Sequence, residues 1–136
     1  MDNPIQPRTP LTKQQVFDNA LFGVRGQDYR QSVNGAACAY RGRDGLKCGI
    51  GHSIPDELYV DDLDDTKDKM NGIEPLCERS EFVWLRELLG GDTQFLAEVQ
   101  AAHDGMRSPD DFEDRMQQIA AYYGLTYTPR EASHAA

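Results

Sequence analysis

The sequence predicts an α+β fold, with about four helices packed on one short antiparallel β-hairpin. Apolar residues recur at helical spacing in four stretches of the chain. An Asp-Gly dipeptide at positions 44–45 stands between two short runs that favour strands. With 136 residues, of which 39% are hydrophobic, the chain has the length and composition of one globular domain.

We divide the chain into three parts. Residues 1–11 carry three prolines and are predicted to form a flexible arm, residues 12–125 a single globular domain, and residues 126–136 a polar tail. The N-terminus shows no secretory signal, and no stretch approaches the about 20 apolar residues of a membrane span. Three cysteines at irregular spacing argue against a disulfide framework. We therefore expect a cytoplasmic protein without membrane contact.

The first helix is predicted to begin at Thr12, because Gln15 three residues later completes a capping box. Gly23 and Gly26 mark its C-terminal end. Apolar residues form one face of this helix, and they are Val16, Phe17, Ala20, Leu21 and Val24. This face is expected to lie on the core.

The predicted hairpin lies within residues 38–51. Asp44-Gly45 supplies the positive φ values that a tight two-residue turn requires. Gly49 and Gly51 indicate that another backbone packs closely against the second strand.

Three further helices follow the hairpin. One covers residues near 76–89, Asp92 caps the next, and Ser108 begins the last, which ends at Gly124. Their predicted inner faces are Leu76, Phe82, Val83, Leu85, Leu88 and Leu89, with Trp84 half-buried; Phe95, Leu96, Val99 and Ala102 or His103; and Phe112, Met116, Ile119, Ala120 and Tyr123.

Charge is unevenly distributed along the chain. Its net charge is -9, but residues 1–50 hold four acids and seven bases, while residues 51–136 hold nineteen acids and seven bases. Direct binding of nucleic acid is not expected, because it depends on neutralising phosphates. The acidic half would suit a basic partner surface and accelerate association. The alternative is that the charge only keeps the chain soluble.

We favour the hairpin as the contact surface. An aromatic ring and three cations surround one turn, and Tyr and Arg are the residues that binding hot spots favour. The predicted binding residues are Tyr40, Arg41, Arg43, Asp44, Lys47, Asp56 and Tyr59. This positive part of the chain is also a candidate site for a phosphate or carboxylate group. The alternative is an ordinary solvated hairpin, with Tyr40 packed inward on the helices.

Zinc binding is an alternative role for Cys38, Cys48, His52 and His103. Structural zinc sites usually pair ligands two to four residues apart, and only Cys48 and His52 are that close. We therefore predict no cofactor and interpret the cysteines as buried thiols, with zinc as the alternative.

Two other kinds of site match the sequence poorly. The aspartates between 62 and 68 imitate the start of a calcium loop, but Lys67 and Ile73 occupy its required glycine and glutamate positions. A catalytic cysteine needs a base within reach, and His103 and Asp104 point about 100° apart on a helix. An enzyme is therefore the rival hypothesis to a binding protein.

The chain resembles a group of short, uncharacterised proteins of bacteria and their phages in the run Cys38-x-Tyr40-Arg41-x-x-Asp44-Gly45-x-Lys47-Cys48-x-x-Gly51-x-x-Ile54-Pro55-Asp56-x-x-Tyr59. The resemblance covers roughly residues 13–125 and extends to His103-Asp104 and to the Tyr123-Gly124-Leu125 end. The chain departs from the group at His52, where a small residue or cysteine often stands. The resemblance implies a similar fold and a phage or mobile-element setting, and it implies no reaction.

The sequence thus predicts a small acidic accessory protein of phage or prophage type that binds a host or phage macromolecule. A protein is the expected partner, and if that protein binds nucleic acid, the acidic side would inhibit it as a DNA mimic. Two alternatives stay open: a metal- or cysteine-dependent enzyme using the zinc candidates above, and a structural or assembly protein.

Overall fold

The computed structural model describes residues 9–34, 37–64 and 72–130, and at residues 33, 34, 37, 38, 43, 61 and 62 it describes the backbone alone. Five α-helices lie in these ranges: α1 (Lys13–Gly26), α2 (Ile73–Cys77), α3 (Val83–Leu88), α4 (Thr93–Asp104) and α5 (Pro109–Tyr123). Short 3-10 turns occur at Gly51–Ser53, Asp56–Leu58, Asp61–Asp64 and Ser80–Phe82, and Arg43–Gly45 forms a tight turn with left-handed backbone at Asp44 and Gly45. Most of the predicted arm, of the aspartate loop and of the polar tail lies outside the described residues. Within them, no helix combines the length and the apolar character that crossing a membrane requires.

The predicted β-hairpin is wrong, and with it the α+β class, because the described part of the chain is helical. The Asp44-Gly45 turn does form, with φ values of 60° and 74°. Beside it, however, the chain makes one isolated antiparallel bridge, between Arg41 and Lys47. The other described pairing is antiparallel and joins Val33–Asn34 to Ala37–Cys38. With two residues on each side, this pairing is too short to act as a sheet.

The segment before the turn does not show the burial pattern of a half-buried strand. Side chains of a half-buried strand alternate between core and solvent, whereas Ala39 and Tyr40 are both buried. The close approach predicted for the glycines is confirmed, since a Cβ on Gly51 would lie 2.3 Å from the Tyr40 carbonyl oxygen. A Cβ on Gly49 would lie 3.2 Å from the carbonyl oxygen of Val99. The segment therefore folds back on itself and against α4.

The predicted helix caps are confirmed. Thr12 Oγ1 accepts from the Gln15 N–H, while Gln15 Oε1 accepts from the Thr12 N–H. Asp92 caps α4, Ser108 caps α5, and Gly124 ends α5 with a φ of 70°. Each cap bonds backbone groups that a helix end leaves without an intrahelical partner.

The helix predicted near 76–89 is wrong in extent, because two shorter helices, α2 and α3, take its place. Arg79 interrupts them with an extended backbone, at a ψ of 132°. Its guanidinium lies 4.8 Å from the Phe82 ring centroid and bonds to Glu81 at 2.7 Å. Val83, predicted to face inward, is exposed.

Helix α4 lies at the centre and packs against α1, α2 and α5. The predicted inner faces of α1, α4 and α5 are confirmed as buried, apart from Tyr123, which is half-buried like Trp84. Leu96 on α4 is fully buried, and its truncation to alanine would cost about 2–5 kcal/mol. This core supports the surface segment that carries the predicted binding residues.

Candidate binding cleft

Arg41 is the centre of an ordered cluster on the surface. Its Nη2 donates to Asp56 Oδ1 at 2.6 Å and to the Ile54 carbonyl oxygen at 3.1 Å. Its guanidinium lies 4.8 Å from the centroid of the Tyr59 ring. A charge-assisted hydrogen bond and a cation–π contact together fix a side chain that is otherwise flexible. We call Arg41, Asp56 and Tyr59 the rim cluster.

Asp64 holds the backbone of the rim cluster in place. Its carboxylate accepts hydrogen bonds from the backbone N–H of Tyr40 at 2.7 Å and of Arg41 at 3.1 Å. The hydroxyl of Tyr59 donates to the same carboxylate at 2.5 Å. Sequence reasoning assigned Asp64 to an acidic loop, because no local pattern links it to a residue 24 positions earlier.

Gln27, at the end of α1, organises the other side of the site. Its Nε2 donates to the carbonyls of Arg30 and Lys47, both at 2.7 Å. Its Oε1 accepts from the Lys47 N–H at 3.2 Å and lies 3.1 Å from His52 Nε2. Because an amide oxygen only accepts, His52 carries its proton on Nε2. Burial is the main cause that lowers the pKa of His52 to about 4, with Lys47 and His103 adding to it, so the ring is neutral at pH 7.

A cleft of about 610 Å³ opens beside these groups. This volume lies in the range of ligand pockets, which is about 300–1,000 Å³. Its apolar wall consists of Leu11, Ile54, Pro55 and Leu88. Its polar wall includes Asn19, Lys47, His52, Ser53 and Asp56. The cleft can therefore contact an apolar group and a polar or charged group at once.

The structure brings together four of the seven predicted binding residues. They are Arg41, Lys47, Asp56 and Tyr59. Lys47 Nζ lies 3.9 Å from Asp56 Oδ1 at the edge of the cleft. Asp44 is exposed and stands apart, with its Oδ2 3.6 Å from Arg30 Nη2. The side chain of Arg43 lies outside the described residues.

Tyr40 does not face the solvent, which corrects its predicted role as a contact residue. Only 1% of it is exposed, and burial raises the pKa of its hydroxyl. Tyr40 packs inward, as in the alternative interpretation, and belongs to the core beneath the rim cluster. An aromatic next to an arginine in sequence does not show on which side of the chain the ring lies.

The zinc candidates that the structure describes lie in the interior or beside it. Cys48 is buried, its Sγ accepts from the Gly51 N–H at 3.3 Å, and burial raises the pKa of its thiol, which disfavours the reactive thiolate. His103 is buried with its ring edge-on to Phe112, and burial lowers its pKa. Among the described side chains, no group of three or more His, Cys, Asp or Glu is placed to hold a metal ion. The Cys38 side chain is not among them.

A second arginine–carboxylate cluster, which sequence reasoning missed, joins α1, α5 and the residues after α5. Arg25 donates to Glu113 twice, from Nε at 2.9 Å and from Nη2 at 2.7 Å. The hydroxyls of Tyr29 and Tyr127 donate to the same carboxylate at 2.8 Å and 2.6 Å. Burial alone would raise the pKa of Glu113, but these hydrogen bonds together lower it. We call Arg25, Tyr29, Glu113 and Tyr127 the clasp.

The turn that ends α1 places Tyr29 in the clasp. Asp28 and Tyr29 have φ values of 58° and 63°, in a left-handed region that costs non-glycine residues roughly 1–3 kcal/mol each. The Tyr29 N–H bonds to the Val24 carbonyl at 2.9 Å, and its ring lies edge-on to Phe112 at 5.9 Å. These contacts and the clasp hold the turn in its strained conformation.

No protein-family model, no curated protein and no solved structure matches this chain. The function is therefore argued from the geometry of the rim cluster and the cleft. The resemblance to short bacterial and phage proteins stays a prediction from the sequence.

Proposed function

We propose that this chain is a small accessory protein that binds a protein partner through the rim cluster and the adjacent cleft. The observation that carries the proposal is the fixed position of Arg41, which contacts both Tyr59 and Asp56. The side chain of Asp56 is 80% exposed. Arg and Tyr carry a large share of the binding energy at many protein interfaces. Because their positions here are set before binding, association loses less side-chain freedom.

The surroundings of the rim cluster suit a protein surface. Val60, directly after Tyr59, is 46% exposed, and the cleft adds an apolar wall that includes Leu11 and Leu88. Interfaces combine such apolar contacts with a polar, solvent-accessible rim. A partner side chain in the cleft would find charges of both signs at its edge, on Lys47 and Asp56.

Charge favours a basic partner, since the chain carries a net charge of -9. Opposite charge raises the rate of association, and salt screens this attraction beyond about 10 Å at 0.1 M. If the partner binds nucleic acid, the acidic side would act as a DNA mimic in its basic channel. Inhibition would then fall steeply as salt is added.

The setting that we propose is a phage or prophage, and the place of action is the bacterial cytoplasm. Support for this setting comes from the resemblance of residues 38–59 to short bacterial and phage proteins. Gene neighbourhood tests it: anti-defence neighbours favour an inhibitor, and tail genes favour an assembly role.

Affinity capture from a bacterial lysate tests the rim cluster. We expect Arg41→Ala/Asp56→Ala to recover roughly tenfold less partner than the wild type, as expected for hot-spot residues. Arg79→Ala/Glu81→Ala is the matched control, because it also removes an arginine–carboxylate ion pair, here at 2.7 Å. Like Arg41 on Tyr59, Arg79 lies 4.8 Å from the centroid of an aromatic ring, that of Phe82. Equal recovery by both double variants and the wild type would contradict the proposal.

A further inference from the structure

Residues 125–130, which we call the strap, cross α1 and α5 without helical or strand structure. Gln14 on α1 binds the main chain of Thr126 on both sides: its Oε1 accepts from the N–H at 2.8 Å, and its Nε2 donates to the carbonyl at 3.0 Å. Two residues later, the Thr128 carbonyl accepts from Arg25 Nη2 at 2.7 Å. Helix α1 thus bonds main-chain groups of alternate residues, as a binding site for an extended peptide does.

Side chains of the strap contact α5. The half-buried Tyr127 donates its hydroxyl to Glu113 at 2.6 Å. Arg130 Nη2 bonds to Asp110 Oδ1 at 2.7 Å at the other end of the strap. The strap is therefore held as a bound peptide would be, by main-chain anchors, one partly buried tyrosine and a charged pair.

The groove between α1 and α5 has its own internal bonds, which do not involve the strap. Glu113 keeps two hydrogen bonds from Arg25 and one from Tyr29. Gln14 is oriented by a bond from its Nε2 to Asp18 at 2.9 Å. A groove that is organised in advance can exchange one occupant for another at a lower entropic cost.

The end of the strap is loosely packed against α1. A cavity of about 680 Å³ opens there, lined by Thr128, Pro129 and Arg130 of the strap and by Phe22 and Arg25 of α1. Phe22 is 48% exposed. Open space therefore lies beside the strap at this end.

We propose that the groove between α1 and α5 is a binding site for an extended peptide, and that the strap fills it as an internal ligand that a partner segment can displace. The segment that fits carries a tyrosine opposite Glu113 and an arginine three residues later opposite Asp110. Covalent attachment gives the strap a high effective concentration, so a free peptide competes poorly until the strap is loosened.

A labelled peptide with the sequence of residues 125–130 tests the groove in the full chain by fluorescence anisotropy. Tyr127→Phe removes from the strap the hydroxyl that donates to Glu113. We expect this variant to bind the peptide roughly tenfold more tightly than the wild type, because hydrogen bonds to charged groups are strong. Tyr122→Phe, at an exposed tyrosine on α5, should bind the peptide like the wild type. A folded Tyr127→Phe protein that binds the peptide no better than the wild type would overturn the proposal.

Hydrogen exchange distinguishes a displaceable strap from an integral part of α5. In Tyr127→Phe, the Thr126 amide should exchange roughly tenfold faster, while that of Met116 within α5 stays unchanged. Equal acceleration at both amides would overturn the proposal.

Discussion

The clasp and the rim cluster contain the same kinds of side chain, an arginine, a carboxylate and tyrosine, in two environments. Their arginines are similarly covered, with 16% of the Arg25 side chain and 23% of the Arg41 side chain exposed. Their carboxylates differ, since 5% of the Glu113 side chain and 80% of the Asp56 side chain are exposed. Glu113 accepts four hydrogen bonds from within the chain, whereas much of Asp56 faces solvent.

The difference in carboxylate exposure predicts different roles for the two clusters. A buried charge that loses its partner is left uncompensated, so a buried pair strongly affects stability when one member is removed. An exposed pair contributes little to stability, and its carboxylate can still accept bonds from another molecule. The Arg25–Glu113 pair of the clasp should therefore hold the fold together, and the rim cluster should bind.

Glu113→Ala should have the largest effect on stability. It removes the carboxylate that accepts from the Arg25 guanidinium and from two tyrosine hydroxyls, and it leaves Arg25 with the Thr128 carbonyl as acceptor. We expect the free energy of unfolding to fall by about 3–5 kcal/mol. Urea denaturation at neutral pH measures the change. Asp114→Ala, at the exposed next position, should change it by at most about 0.5 kcal/mol. Equal losses in the two variants would contradict the role of the clasp.

Gly23→Ala should have the next largest effect, on the cleft side of α1. A Cβ there would lie 2.4 Å from Cγ of His52, so we expect a loss of about 1–3 kcal/mol from overpacking. In a His52→Ala background the same change should stabilise by up to about 1 kcal/mol, because alanine suits a helix interior better than glycine. A loss that persists without the imidazole would contradict this packing.

The cleft and the clasp should lose stability over different pH ranges. The pKa of His52 is about 4 in the folded chain and 6.5 ordinarily, so the unfolded chain binds more protons between these values. Stability then falls as the pH drops from 6.5 towards about 4, by at most about 1.4 kcal/mol per pH unit for one group. The lowered pKa of His103 acts in the same direction. The lowered pKa of Glu113 gives stability that is present above its ordinary value of 4.5 and is lost as the pH falls below that value and the carboxylate is protonated.

His52→Gln separates these contributions, because glutamine does not titrate. Denaturation at a series of pH values should give a flatter curve for this variant than for the wild type between about pH 6.5 and 4. Below that range both proteins should lose stability alike. Superimposable curves over the whole series would show that His52 is not held neutral by the fold.

Asp56→Ala should have the smallest effect on stability. Its pair with Arg41 is exposed on the carboxylate side, so we expect a change of at most about 1 kcal/mol, measured by the same urea titration. A loss as large as that of Glu113→Ala would place the rim cluster with the clasp, as part of what holds the fold.

Local sequence signals predicted the ends and inner faces of α1, α4 and α5, but not those of α2 and α3. The caps at Thr12, Asp92 and Ser108 act within three residues, and the inner faces follow the helical period. The dipeptide Asp44-Gly45 likewise set its own turn. Strand pairing beside that turn depends on how residues such as Tyr40 pack in three dimensions, and the hairpin prediction was wrong for that reason.

The site could be predicted only in part, because its supporting residues are distant in sequence. The three residues of the rim cluster lie within residues 41–59, and the arginine and tyrosine in this segment predicted a binding surface. Asp64 bonds to a backbone group 24 positions away, and Glu113 to Arg25 across 88 positions. Gln27 lies in a polar stretch without periodicity, where no pattern shows which side chain is bonded.

Photo-crosslinking in a bacterial lysate tests the binding role of the rim cluster most directly. A photoreactive phenylalanine analogue replaces either Val60, beside the rim cluster, or Tyr122, which is 76% exposed on α5. We expect the analogue at position 60, and not at position 122, to crosslink one discrete protein, and Arg41→Ala/Asp56→Ala to abolish that crosslink. A crosslink at position 60 that survives the double substitution, or the same product from both positions, would contradict the account.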